Sequence, residues 1–248
     1  LVDDSEILYA IGVLLEKAHT LAETAGAAST AGALKYKDEL KGKKVVLMVS
    51  GGNITLDQLQ GALDRYEEYI RPSVTAKSLA TLNDSASLLW RLQIYGGTPP
   101  PKPWDEVREL AAPAAERSGA AFRDAHAALA FAGSGDEEAI SKMIARLEVD
   151  AEKGNLLARE MVLPMTRGIY AFAQGDYTES VRYMEPLFSQ LARIGGSHAQ
   201  RDILTQTLIE SAIRGDYTGL ASNLMSERTV HKPFSPLTRR FNARIKTH

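Results

Sequence analysis

The sequence predicts a mainly α-helical chain, a helical repeat solenoid, with a short N-terminal α/β remnant that holds one strand at residues 45–49. Three observations carry this prediction. Gly135-Asp136, Gly175-Asp176 and Gly215-Asp216 recur at intervals of 40 residues. Apolar runs with helical spacing lie on both sides of each pair, at 127–132, 169–173 and 207–213 before them and at 140–147, 181–191 and 220–225 after. Gly ends a helix by taking the left-handed conformation, and Asp caps the next by accepting its free N–H groups. Helix, turn and helix at a fixed period are the mark of a repeat array. The third observation is that one segment alone, Val45-Val46-Leu47-Met48-Val49, is a continuous β-rich apolar run.

Taken in order, Asp3 and Asp4 precede Ile7, Ala10, Ile11, Leu14, Leu15 and Ala18 on one face, which predicts a helix over about 4–20. Glu23-Thr24-Ala25-Gly26-Ala27-Ala28 opens a second helix of small residues, and the polar residues 41–44 form a turn. The run at 45–49 has the composition of a strand buried on both faces of a parallel sheet. It ends in Ser50-Gly51-Gly52-Asn53, and a helix is predicted from about 55 to 70, ended by Arg71-Pro72. A lone parallel strand needs neighbours for its backbone groups, so this segment is expected to borrow strands from another chain, to pair in a homo-oligomer or to stay poorly ordered. Residues 84–95 form an amphipathic helix capped by Asp84 and ended by Gly96-Gly97. A stiff proline-rich link follows at 98–103, and a helix resumes over 104–115.

Composition narrows the function. Lys+Arg 29 against Asp+Glu 31 gives a formal charge of −2, with no concentrated basic patch of the kind nucleic acid requires. Cys is absent, which excludes disulfides, thiolate-bound zinc and a thiol nucleophile. No apolar run approaches the ~20 residues of a membrane span. The expectation is a cytoplasmic protein. The start, Leu1-Val2-Asp3-Asp4, reads as an interior piece of a longer chain or an unusual gene junction.

Four strings in the first 61 residues stand in order: Asp3-Asp4-Ser5-Glu6-Ile7, Leu15-Glu16-Lys17-Ala18-His19, Ala22-Glu23-Thr24-Ala25-Gly26-Ala27-Ala28 and Val49-Ser50-Gly51-Gly52-Asn53. Together they resemble the end of the catalytic domain of threonine dehydratases, the fold-type II pyridoxal-phosphate enzymes that include serine racemase. The resemblance implies a cofactor-binding turn at Ser50, Gly51, Gly52 and Asn53, with the Ser50 hydroxyl meeting the pyridine nitrogen and the glycines letting backbone approach the ring. The family's Schiff-base Lys and phosphate loop have no match in this chain. No cofactor is therefore expected for it, and pyridoxal phosphate only if the missing N-terminal part is supplied. Read without the resemblance, Ser50-Gly51-Gly52-Asn53 is a strand-to-helix turn that needs small residues.

Residues 62–248 carry a second set of strings. They are Tyr69-Ile70-Arg71-Pro72, Ser87-Leu88-Leu89-Trp90-Arg91-Leu92, Asp124-Ala125-His126 with the alanine-rich run that follows, Ile194-Gly195-Gly196-Ser197-His198 and Lys232-Pro233-Phe234-Ser235-Pro236-Leu237. These resemble the C-terminal part of the tetratricopeptide repeat protein 38 family, and imply a tetratricopeptide-like solenoid that binds an unknown protein partner. Two domains are thus expected, 1–61 and 62–248, joined within 58–64 as by a gene fusion. The rival expectation is a threonine ammonia-lyase subunit whose catalytic part lies elsewhere.

Individual side chains invite sharper readings. His198 and Asp202 lie four apart, the spacing of two metal ligands on one helix face, but two ligands make no site, and they read as a cap or an ion pair. Arg214-Gly215-Asp216 falls on the repeat turn. His126 among alanines reads as packed, and Tyr170, Phe172, Tyr177 and Tyr183 read as repeat core.

Overall fold

The first helix, α1 (Asp4–Ala18), starts where the sequence places it because Asp3 and Glu6 cap it reciprocally. The Asp3 carboxylate accepts the Glu6 N–H at 2.9 Å, and Glu6 accepts the Asp3 N–H at 2.8 Å. Helix α2 (Thr24–Lys35) buries its small residues Gly26, Ala27, Thr30 and Ala31, and packs on α1, where Ala10 and Ile11 are fully buried. Lys35 closes the pair, donating to the Leu1 carbonyl at 2.8 Å and ion-pairing with Glu6 at 2.9 Å. A single turn of helix, α3 (Lys37–Leu40), leads into the turn ending at Lys43. The computed structural model describes residues 1–18, 22–49, 79–97, 101–231 and 236–245.

The predicted strand at 45–49 is not formed. Its five residues belong to no ladder, since no second strand exists among the described residues to pair with it. Exposure alternates along it, 46% for Val45, 95% for Val46, 39% for Leu47, 79% for Met48 and 36% for Val49, the period of extended backbone with one half-shielded face. One hydrogen bond ties it down, from Ser29 Oγ to the Met48 carbonyl at 2.8 Å.

Helix α4 (Leu79–Ile94) begins five residues before Asp84, so Asp84 is not its cap but a buried interior residue. Leu82, Leu88, Leu89, Trp90, Leu92 and Ile94 are all buried, an all-round burial that amphipathic patterning alone does not announce. Helix α5 (Pro101–Ala111) takes up part of the expected proline link, because prolines in a first helical turn forfeit no hydrogen bond. The expected helix over 104–115 breaks at Pro113, and α6 (Pro113–Glu116) is a separate turn.

The array then runs α7 (Ala121–Ser134), α8 (Glu137–Glu152), a π turn (Ala158–Val162) continuing into α9 (Leu163–Ala173), α10 (Tyr177–Met184) continuing into a 3-10 helix (Glu185–Ile194), α11 (His198–Arg214), α12 (Thr218–His231) and α13 (Pro236–Ile245). The first two Gly-Asp turns close alike. Gly135 and Gly175 take φ of 72° and 79°, and the next N–H bonds back five residues, Asp136 to Phe131 and Asp176 to Ala171, both at 2.9 Å. Asp136 and Asp176 then cap α8 and α10 by accepting from Ala139 and Glu179. The sequence reading missed the intervening turns. Gly154-Asn155 repeats the pattern, with Asn155 N–H bonding back to Asp150 O at 3.0 Å and the Asn155 side chain capping by accepting the Ala158 N–H. Gly196-Ser197 makes a capping box instead, Ser197 Oγ accepting from Gln200 N–H and Gln200 accepting the Ser197 N–H.

The third Gly-Asp turn differs. Gly215 caps the end of α11 with a negative φ, −89°, and Asp216 carries the positive φ, 64°. The five-residue closure slips by one, from Tyr217 N–H to Ala212 O at 2.8 Å, so Asp216 does not cap α12.

The mainly helical expectation holds. The inner packing is closed: α4 packs on α7, α7 on α9, α9 on α11, and α11 returns to α4. Trp90 of α4 stands 5.5 Å from the Phe172 ring of α9 and donates Nε1–H to Thr207 of α11 at 2.9 Å. The space between these helices is filled by the chain's own side chains.

Candidate functional site

The sequence-nominated residues Ser50, Gly51, Gly52 and Asn53 lie outside the described residues, as do the predicted helix at 55–70 and the junction at 58–64. The segment that precedes them, 45–49, is described and is exposed along its length.

The densest chemistry lies where α4 meets α11. The α11 residues Asp202, Gln206 and Glu210 repeat every four positions and form one polar stripe, all buried. Tyr95 of α4 donates its hydroxyl to Gln206 Oε1 at 2.7 Å, and Gln206 passes an N–H to Asp202 at 2.7 Å. Arg228 of α12 grips Asp202 through both guanidinium nitrogens, at 2.6 and 3.2 Å. Lower on the stripe, Glu210 binds Arg214 at 3.0 Å and Arg244 of α13. Arg214 also donates to the Ile94 carbonyl at 2.9 Å and lies over the Phe172 ring at 5.1 Å. That engagement leaves the Arg214-Gly215-Asp216 tripeptide a structural turn.

Burial sets the electrostatics of this seam. Asp84 is pushed up to about 8 by desolvation, against the opposing pull of the Arg91 charge. Arg91 is itself lowered by burial, and burial raises the Tyr95 hydroxyl. His126 on α7 is fully buried and falls to about 4, chiefly through desolvation, although its Nδ1–H donates to the Phe122 carbonyl at 2.7 Å. This agrees with reading His126 as packed. Phe172 is core, whereas Tyr170, Tyr177 and Tyr183 are only half-buried.

On the outer side of the same stripe a cleft of about 320 Å³ opens between the 3-10 helix, α11 and α12. Its floor is the Asp202–Arg228 pair, and Phe188, Leu191 and Leu224 form apolar walls. His198 and Asp202 both line it, with Asp202 taken by Arg228 as an ion pair. No group of three metal-ligating side chains occurs among the described residues. No described helix is long and apolar enough to cross a membrane. The seam escapes sequence reasoning because its members lie far apart, up to 145 residues in the bond from Arg240 to the Tyr95 carbonyl.

Comparison with known proteins reaches only part of the chain. No protein-family model matches it. An L-threonine ammonia-lyase of Thermotoga maritima is 42% identical over 64 residues, 26% of this chain and 16% of that protein. A catabolic L-threonine dehydratase of Staphylococcus aureus is 40% identical over 67 residues, covering 26% of this chain and 19% of that protein. A biosynthetic L-threonine dehydratase of Bacillus subtilis is 40% identical over 65 residues, 26% and 15% respectively. The chain spans less than a fifth of the length of these curated relatives. No solved structure matches it. Nothing in these comparisons supports the likeness of residues 62–248 to tetratricopeptide repeat protein 38. About a quarter of the chain resembles threonine dehydratases, in their C-terminal part.

Proposed function

We propose that this chain is a non-catalytic, tetratricopeptide-like interaction module joined to an incomplete remnant of a pyridoxal-phosphate enzyme. One observation carries the reading: helices from α7 to α12 are stacked through repeated Gly-capped turns, and their inner sides are spent on one another. Repeat arrays of this kind present surface rather than build reaction centres. Because α4 fills the inner side, the partner-binding surface is the outer layer formed by α8, α10 and α12. The threonine dehydratase-like part contributes the exposed segment 45–49 and the Ser50-Gly51-Gly52-Asn53 string, with no Schiff-base Lys or phosphate loop matched in this chain.

The test uses the purified chain with pyridoxal phosphate, scanned by absorbance, reduced with borohydride and mapped by mass spectrometry. The expected result is weak or no binding, and no ammonia released from threonine. A stoichiometric adduct on one lysine with threonine turnover would overturn the proposal. It would favour the second reading, a threonine ammonia-lyase-like subunit completed by another chain, to which the 40–42% identity of the relatives lends weight.

A further inference from the structure

We propose that the cleft between the 3-10 helix, α11 and α12 binds a small zwitterion with an apolar tail, an α-amino acid. The cleft's volume, about 320 Å³, lies at the small end of ligand-pocket sizes. Its charges are sorted by side. Arg201, one turn into α11, is half-buried and held in place by donating Nη1–H to the Gly195 carbonyl at 3.1 Å and to the Gly196 carbonyl. No carboxylate among the described residues pairs with it. A guanidinium fixed by carbonyls alone keeps its other N–H groups for a ligand carboxylate.

Across the cleft, Glu227 on α12 is exposed and forms no ion pair among the described residues. The floor adds no competing charge, because Asp202 and Arg228 neutralise each other in a two-bond pair. A ligand therefore meets a cation on α11, an anion on α12, and Phe188, Leu191 and Leu224 around them. An amino acid offers a carboxylate to the first, an ammonium to the second and a hydrocarbon side chain to the rest. A carboxylic acid lacking the amine satisfies only Arg201, and an amine lacking the carboxylate satisfies only Glu227.

The experiment titrates the full chain, ¹⁵N-labelled, with L-leucine, with isocaproate (leucine without its amine) and with isoamylamine (leucine without its carboxylate), following amide shifts. Leucine is expected to saturate shifts around residues 188–205 and 224–228, with both analogues about tenfold weaker. Arg201→Ala is expected to abolish leucine binding. Because Arg201 also steadies the Gly195-Gly196 turn, Glu227→Gln is the second variant, and it is expected to bind leucine no better than isocaproate. The inference fails if leucine gives no saturable shifts on the folded chain, if isocaproate binds the native chain as well as leucine does, or if neither variant changes the titration.

Discussion

Replacing Gly175 by Ala isolates the cost of a left-handed turn in this array. Gly175 has φ 79°, and a Cβ built there meets nothing within 4 Å, so no steric clash confuses the result. What remains is the backbone penalty of an L-residue in the left-handed region, about 1–2 kcal/mol, partly offset by a stiffer unfolded chain. The expected net loss is about 1 kcal/mol, or roughly 2–4 °C in Tm for a chain of this size. The third turn supplies the mirror experiment. There Asp216 occupies the left-handed position at φ 64°, so Asp216→Gly removes strain and is expected to stabilise by about 0.5–1 kcal/mol. Urea unfolding read by far-ultraviolet circular dichroism measures both, with an unchanged denaturant slope as the control for an unchanged unfolded state. Stabilisation by Gly175→Ala, or destabilisation by Asp216→Gly, would refute the assignment of which residue carries each turn.

Four further outcomes follow from the interior and the surface. Asp202→Ala leaves the buried Arg228 guanidinium without its carboxylate and is expected to cost about 3–5 kcal/mol, with the double change to apolar residues costing less, measured by urea midpoints. Asp84 binds its proton more tightly folded than unfolded, so its contribution to stability falls as pH rises from 3.8 to about 8, and Asp84→Asn is expected to remove that loss. His126 has the opposite sign: its folded value of about 4 lies below the ordinary 6.5, so stability it supports above 6.5 is lost as pH falls toward 4, and unfolding midpoints across that range of His126→Gln against the native chain check the slope. Changing Val46 and Met48 to Lys touches side chains 95% and 79% exposed and is expected to shift stability by less than about 0.5 kcal/mol, while light scattering reads any loss of self-association.

The local chemistry of turns was legible because it is written in adjacent residues. Gly135-Asp136 and Gly175-Asp176 declare both the left-handed stop and the cap that follows. Gly154-Asn155 and Gly196-Ser197 went unread because the cap changes from Asp to Asn or Ser, which the backbone accepts as readily. Gly215-Asp216 was read one residue early: Gly215 closes α11 with a negative φ in a tight place, where a Cβ would meet the Ser211 carbonyl oxygen at 3.0 Å and Tyr177 Cβ at 3.2 Å, and the left-handed position falls on Asp216. The start of α4 was misplaced since Asp84 imitates a cap, while its burial is imposed by helices far away in sequence. The run at 45–49 has the composition of a strand, but composition cannot supply a neighbour to pair with it. The cleft between α11 and α12 is a product of packing alone, and no string of residues announces it.

The return of α11 onto α4 sets how this chain must acquire its structure. Trp90 finds Thr207 across 117 residues, and Arg214 reaches the Ile94 carbonyl across 120. An open repeat array can nucleate anywhere and grow by neighbours, with each unit stable once the next is in place. Here the ring does not close until residues past 200 have emerged, so the side of α4 that faces α11 waits uncovered after α5 and α7 have already packed on its other sides. Long-range closure slows folding, and exposed apolar helices in waiting are what chaperones hold. The gain is cooperativity: once shut, the ring unfolds as one unit rather than fraying repeat by repeat from its ends.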